Sequence, residues 1–192
     1  MFSAPVAAQT GSEAEEAAEV IAKTRQFFEN DFFRGHPLQC VLLKLRTSDI
    51  LAIPPKSDFV DSVSFALEIE ATTGSPFSTI ADDLKAQLAQ TFSHIKNEHS
   101  YLVHCHTRTF KSSSAKRQRY HYHMVRKSGF SRADYLDYYS NSHYQFGLKV
   151  ESADYFQNYV DDSETQILST LFGIQPLLAD NISELRFDDI EC

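Results

Sequence analysis

The chain contains no tryptophan and, among 192 residues, only three cysteines, six glycines and six prolines. Each scarcity excludes something. The cysteines (Cys40, Cys105 and Cys192) are far apart and odd in number, and no Cys-x-x-Cys occurs. Neither a zinc ribbon nor a disulfide framework is expected; reduced thiols in a cytoplasmic protein are. The few glycines build no phosphate-cradling glycine loop and no Gly-x-Ser-x-Gly elbow, which disfavours doubly wound nucleotide folds and serine hydrolases. No apolar run approaches the roughly 20 residues needed to cross a bilayer. Met1 to Thr10 has no basic stretch and no long apolar core, so no secretory leader is expected. Basic residues are outnumbered, 18 to 26, for a net charge of −8, and general nucleic-acid binding is disfavoured.

What is present is an ordinary globular balance, 42% hydrophobic and 23% charged, in a length that fits one domain or two small ones. Fifteen Phe, nine Tyr and eight His together suggest a pocket. Residues 1–12 are small and polar and are expected to be disordered. Ser12, with Glu15 three positions on, predicts a capped helix over 13–30. Strands are predicted at 39–47 and 63–71, the second placing Phe65, Leu67 and Ile69 on one face. After the turn at Thr73–Pro76, a helix over 77–97 carries the stripe Ile80, Leu84, Leu88 and Phe92. Strands at 101–110 and 120–127 flank a serine-rich loop, 111–116. Ser131 caps a helix over 132–148. Strands at 155–160 and 183–190 follow, separated by 166–178, which reads as a short helix or a loop. Interleaved helices and close β-β neighbours predict an α+β fold, with helices on one face of a mainly antiparallel sheet.

Three groups of residues carry possible chemistry. Tyr135, Tyr139, His143 and Phe146 fall at helical spacings and predict one face packed on the sheet. A neutral His143 in the space between helix and sheet can accept a proton, and Tyr135 or Tyr139 can donate to a developing oxyanion. A histidine satisfied within the core is the bland alternative. Second, His104 and His106 share one face of a strand, and His121 and His123 share a face of the next. If these strands pair as a hairpin, four imidazoles converge as a transition metal requires. No acidic residue between Glu98 and Asp134 completes a mixed set, and a polar solvent-facing sheet explains the pairs equally well. Haem is a related option with no axial ligand singled out. Third, Arg108, Lys111, Lys116, Arg117, Arg119, Arg126 and Lys127 cluster beside Tyr120 and Tyr122. This is the footprint sought for single-stranded nucleic acid or an anionic ligand, or else a solvated hairpin loop.

One stretch is more specific. A strand ends in Arg126-Lys127. The turn Ser128-Gly129-Phe130 then leads into the capped, tyrosine-rich helix with His143 near its end, and Tyr155-Phe156-Gln157-Asn158 follows as a strand. Glu184-Leu185-Arg186-Phe187-Asp188 closes the series. Residues 120–191 resemble the EthD family of the dimeric α/β-barrel superfamily. Tyr139 stands where that family usually has Trp, and Tyr144-Gln145 replaces its small or Pro residues after the histidine. The chain ends at Cys192, where a family domain continues into a second helix and a last strand. The resemblance implies ferredoxin-like units in a dimeric α/β-barrel arrangement, paired within the chain or as a homodimer. On this reading residues 111–192 are an EthD-like unit and residues 13–110 an α+β unit, a degenerate or permuted ferredoxin-like half. The resemblance also implies a helix–sheet cavity, with Tyr155 and Gln157 beside it. The ligand is then a small hydrophobic or aromatic molecule, with no organic cofactor, no nucleic acid and no membrane. His143 and Tyr139 are the catalytic candidates, and Tyr135, Tyr155, Gln157 and Phe146 the substrate-binding ones. The reaction is acid–base chemistry in degradation or secondary metabolism. A binding or assembly protein that keeps the fold without the chemistry is the alternative.

Overall fold

A computed structural model describes residues 2–4, 38–44, 65–71, 77, 80–91, 100–113 and 118–188, with parts of 18–29. The predicted cap at Ser12 and Glu15, the turn at Thr73–Pro76, Phe92, Lys116, Arg117 and Cys192 lie outside the described residues. The chain is α+β and divides into two compact units, Met1–Val103 with Ser163–Leu177, and His104–Asp162 with Leu178–Cys192. The boundary expected at residue 110 thus stands at Val103/His104, and a later segment returns to the first unit. Among the described residues no helix is long and apolar enough to cross a membrane.

The first unit holds a five-stranded sheet in the order β2-β3-β1-β4-β8. Its strands are β1 (Phe2–Ala4), β2 (Leu38–Lys44), β3 (Phe65–Ala71), β4 (Tyr101–Leu102) and β8 (Gln175–Pro176). β2 and β3 run antiparallel from Leu38↔Ala71 to Lys44↔Phe65, while β8 lies parallel to β4. β1 falls inside the stretch expected to be disordered. Its backbone is taken up by pairing with both β3 and β4, which composition alone does not foretell. Helix α1 is Ala81–Thr91, and Leu84 and Leu88 of the predicted stripe are buried. They pack in one core with Phe27, Leu67, Ile69, Leu102, Leu168 and Phe172. Each such side chain contributes about 1.5–3 kcal/mol by leaving water. Of the ambiguous stretch 166–178, the part up to Phe172 belongs to a helix, α4 at Asp162–Phe172, with Thr165, Leu168, Ser169 and Phe172 as its buried stripe, and Gln175–Pro176 forms β8.

The second unit carries the four-stranded antiparallel sheet β5-β7-β9-β6. Its strands are β5 (Cys105–Lys111), β6 (Gln118–Met124), β7 (Asp154–Val160) and β9 (Asn181–Phe187). The β5–β6 hairpin on which convergence of the four histidines depended does not form, and these two strands occupy opposite edges. Their composition suits that position: Cys-His-Thr-Arg-Thr-Phe-Lys is polar and largely exposed and Gln-Arg-Tyr-His-Tyr-His-Met is half-buried, whereas β7 is buried almost throughout. β6 and β7 run in the same direction, each antiparallel to β9 between them, and a helical segment joins them.

That segment starts where the sequence predicts. The Ser131 hydroxyl accepts from the Asp134 amide at 3.1 Å, capping α2 (Arg132–Tyr138). Gly129 precedes the cap with φ 93°, a conformation that L side chains resist, in a turn closed by Phe130 N–H to Lys127 O at 3.1 Å. The predicted single helix is interrupted, however. Tyr139–His143 forms a π turn, and α3 (Tyr144–Leu148) follows. Ser140, Asn141 and Ser142 are poor helix formers. Ser140 Oγ donates to the Leu136 carbonyl at 2.7 Å, and Asn141 Nδ2 to Asp137 Oδ1 at 2.8 Å. Such bonds compete with the regular helical ladder. The wider turn changes the facing of every later side chain relative to the predicted stripe.

Candidate functional site

The helical segment lies on the sheet face formed by Tyr155, Gln157 and Tyr159 of β7 and Asn181 and Ser183 of β9. The register pairs Gln157 with Ser183 and Tyr159 with Asn181. Tyr139 is buried, and its hydroxyl lies 3.0 Å from Ser183 Oγ. The Tyr135 hydroxyl donates to Asn181 Oδ1, and the two tyrosine rings stack at 6.3 Å. Gln157 is fully enclosed. Its Nε2 donates to the Tyr139 carbonyl at 3.1 Å and to the Tyr155 hydroxyl at 2.9 Å, while its Oε1 accepts from the Tyr159 hydroxyl at 2.5 Å. Burial raises the Tyr139 phenol far above its usual range, only partly offset by the Ser183 contact, and burial beside Asp180 raises Tyr135 to about 12. Both phenols therefore keep their protons at neutral pH.

This placement alters the roles expected for four residues. Tyr155 and Gln157, expected to touch a ligand, are buried and have their polar atoms engaged with one another and with the helix. Tyr139, expected as a proton donor to substrate, is directed at Ser183 instead. Phe146, expected on the inner face, is 57% exposed beneath the Lys149 ammonium, because the π turn rotates α3. Its place against the sheet is taken by Gly147, where an added Cβ would stand 2.5 Å from the Tyr155 ring. The approach of helix to strand thus demands glycine.

His143 lies at the rim of this layer. It is half-buried, with ring centroids of Tyr139 at 5.4 Å, Phe146 at 5.6 Å and Tyr138 at 6.4 Å. Burial among these rings lowers its pKa below 6.5, so the imidazole is neutral at physiological pH. Tyr138 and Phe146 are themselves about half exposed. The result is a neutral nitrogen base framed by accessible aromatic faces.

The four strand histidines do not converge. β7 and β9 separate β5 from β6, a span of about 14 Å at the usual strand spacing. His121 faces Glu184 at 3.7 Å on the sheet face opposite the helix, and His123 is exposed one alternation on. His104 and His106 do share a face, as the alternation predicts, and the fold brings Asp161 to them: His106 Nε2 lies 3.3 Å from Asp161 Oδ2. Sequence reading missed Asp161 because only strand register, 55 residues later, supplies it. It likewise missed Asn181 and Ser183, whose one signal is polar alternation ahead of Glu184.

The basic cluster is largely engaged. Arg108 stacks over Phe110 at 4.5 Å, Lys111 donates to the Glu151 carbonyl, and Arg126 pairs with Asp180. Arg119 and Arg186 hold Glu184 at 3.4 and 2.5 Å, with Asn158 Nδ2 at 3.3 Å. Burial opposes ionisation of Glu184, but His121 and Arg186 overcome it and hold the carboxyl at about 2.

Comparison of the chain with models of known families, with curated proteins and with solved structures finds no match.

Proposed function

We propose that the second unit is an EthD-like, ferredoxin-like module that binds a small aromatic or otherwise hydrophobic molecule at the rim formed by His143, Tyr138 and Phe146. The observation that carries this reading is the half-exposed, neutral His143 imidazole set among three aromatic rings. The strand order supports the fold part of it. β6, the helical segment, β7 and the intervening β9 make a split β-α-β, the arrangement on which ferredoxin-like units are built.

In this reading the aromatic faces of Tyr138 and Phe146 hold the ligand by stacking, and His143 accepts a hydrogen bond from its hydroxyl or acidic C–H. Tyr139 is a positioning residue. Locked to Ser183 and to the Gln157 amide, it fixes the π turn and with it the imbedded edge of the His143 ring. If chemistry follows, it is proton abstraction by His143 without an organic cofactor, as in a cyclase, isomerase, decarboxylase or oxygenase type of reaction. Completion of the barrel falls to self-association, as a homodimer or by pairing within the chain.

The non-catalytic alternative is favoured by one observation: Gln157 and its tyrosines, which would orient a reacting molecule, are saturated by each other. The two readings share the binding step, and calorimetric titration of the full chain with 2-naphthol tests it. Binding that weakens at least about tenfold in His143→Ala, with unchanged circular dichroism, supports the site. No binding, or equal binding by the variant, removes it. Deuterium exchange at acidic carbons of bound ligands then separates a base from a passive acceptor.

A further inference from the structure

We infer that His104, His106 and Asp161 form a binding site for one divalent first-row transition ion of the zinc or ferrous type. The three residues come from adjacent strand ends of the second unit. His104 immediately precedes β5 and His106 lies within it; two apart in extended chain, they project to the same side. The ladder Cys105↔Val160, His106↔Tyr159 sets Asp161 opposite His104 when continued by one step. A backbone bond from the Asp161 amide to the His104 carbonyl, 3.0 Å, fixes that step. The carboxylate is therefore placed by main-chain geometry and not by a chance rotamer.

The donor geometry fits an ion. One donor atom from each residue lies within 4.8 Å of the others. The His106 Nε2–Asp161 Oδ2 separation of 3.3 Å equals the donor spacing of about 3.3 Å on a tetrahedral ion with bonds of about 2.0–2.1 Å. The two imidazoles meet edge to face, at 88° and 5.2 Å between centroids, so their nitrogens can share a centre without the rings stacking. The His106 side chain is 72% exposed, so little packing opposes the remaining closure. Cys105 projects to the opposite face and stays out of the set.

The donor set decides the class of ion. Two imidazoles and one carboxylate suit zinc, ferrous iron and their neighbours in the row, whereas magnesium and calcium prefer oxygen throughout. Three protein ligands leave coordination positions open, to be filled by water or an anionic oxygen donor. With one carboxylate, a bound dication retains a net positive charge, which favours such an anion. The site shares no residue with the His143 rim, so neither proposal depends on the other.

The test is titration of the full chain, first stripped with chelator, with zinc chloride, and with cobalt(II) chloride read by visible absorption. The expected result is one ion per chain and ligand-field bands of a nitrogen–oxygen site. His106→Ala and Asp161→Asn should each lower zinc affinity at least about tenfold. His123→Ala, an exposed histidine on the far edge strand, serves as control and should leave affinity unchanged. Equal zinc affinity in the wild-type chain and in the His106→Ala/Asp161→Asn double variant would overturn the site. So would a loss in His123→Ala as large as in His106→Ala.

Discussion

The Gln157 side-chain amide donates to the main-chain carbonyl of Tyr139 at 3.1 Å, tying the central strand β7 to the first residue of the π turn. A carbonyl in a π turn is displaced from the regular helical ladder and needs a partner if buried. Gln157 supplies it, and its remaining polar capacity is filled by Tyr155 and Tyr159. The turn that presents His143 is thus anchored from the sheet.

Removing that anchor is predicted to be costly. Gln157→Ala leaves the Tyr139 carbonyl and the Tyr159 hydroxyl without their partner and opens a void. The expected loss is roughly 2–4 kcal/mol in urea unfolding. A loss under about 0.5 kcal/mol would show that the bonds are replaced by solvent and that the turn is not held from the sheet.

Gly147→Ala tests the close approach of helix and strand. The new Cβ meets Tyr155 ring carbons at 2.5 Å, so α3 must lift or the ring must rotate. A destabilisation of about 1–3 kcal/mol is expected, against the small gain Ala usually gives in a helix. A rise in melting temperature would contradict the packing described.

The second unit is predicted to be acid-sensitive through Glu184. Its folded value of about 2 lies below its ordinary 4.5, so the folded state binds fewer protons than the unfolded one between those limits. Stability from this group is full above pH 4.5 and is lost as pH falls from there toward 2, by an amount on the order of 3 kcal/mol. Unfolding followed against pH should show Glu184→Gln less stable than wild type at neutral pH, with the gap closing in acid. A gap independent of pH would contradict the ion-pair account.

The cap at Ser131 is local and should behave locally. Ser131→Ala is expected to cost about 1 kcal/mol and to fray α2, read as faster amide exchange at Asp134. Unchanged exchange there would mean that the turn at Gly129, not the cap, fixes the helix start.

These residues also mark what can be read from sequence. The Ser131 cap, the alternation of Leu67 with Ile69 and the inward facing of Tyr135 and Tyr139 depend on neighbours within one or two turns, and they were legible. Phe146 was misplaced because a period of 3.6 was carried through Ser140-Asn141-Ser142, where side-chain bonds to the helix widen it. Proximity in sequence left a β5–β6 hairpin open. The polar character of both strands and the buried run of β7 favour edges and centre instead. Asp161 was invisible as a companion of His104 because register between distant strands is a property of the folded sheet.

The central claim, that His143 is a neutral base open to an aromatic ligand, is tested most directly by nitrogen-15 NMR of its imidazole. The ring is followed through a pH titration with and without 2-naphthol. The account predicts a pKa below 6.5 in the free protein and a change in the His143 nitrogen shifts when the ligand is added, absent from His123. A pKa above 6.5, or shifts that ignore the ligand at saturating concentration, would contradict it.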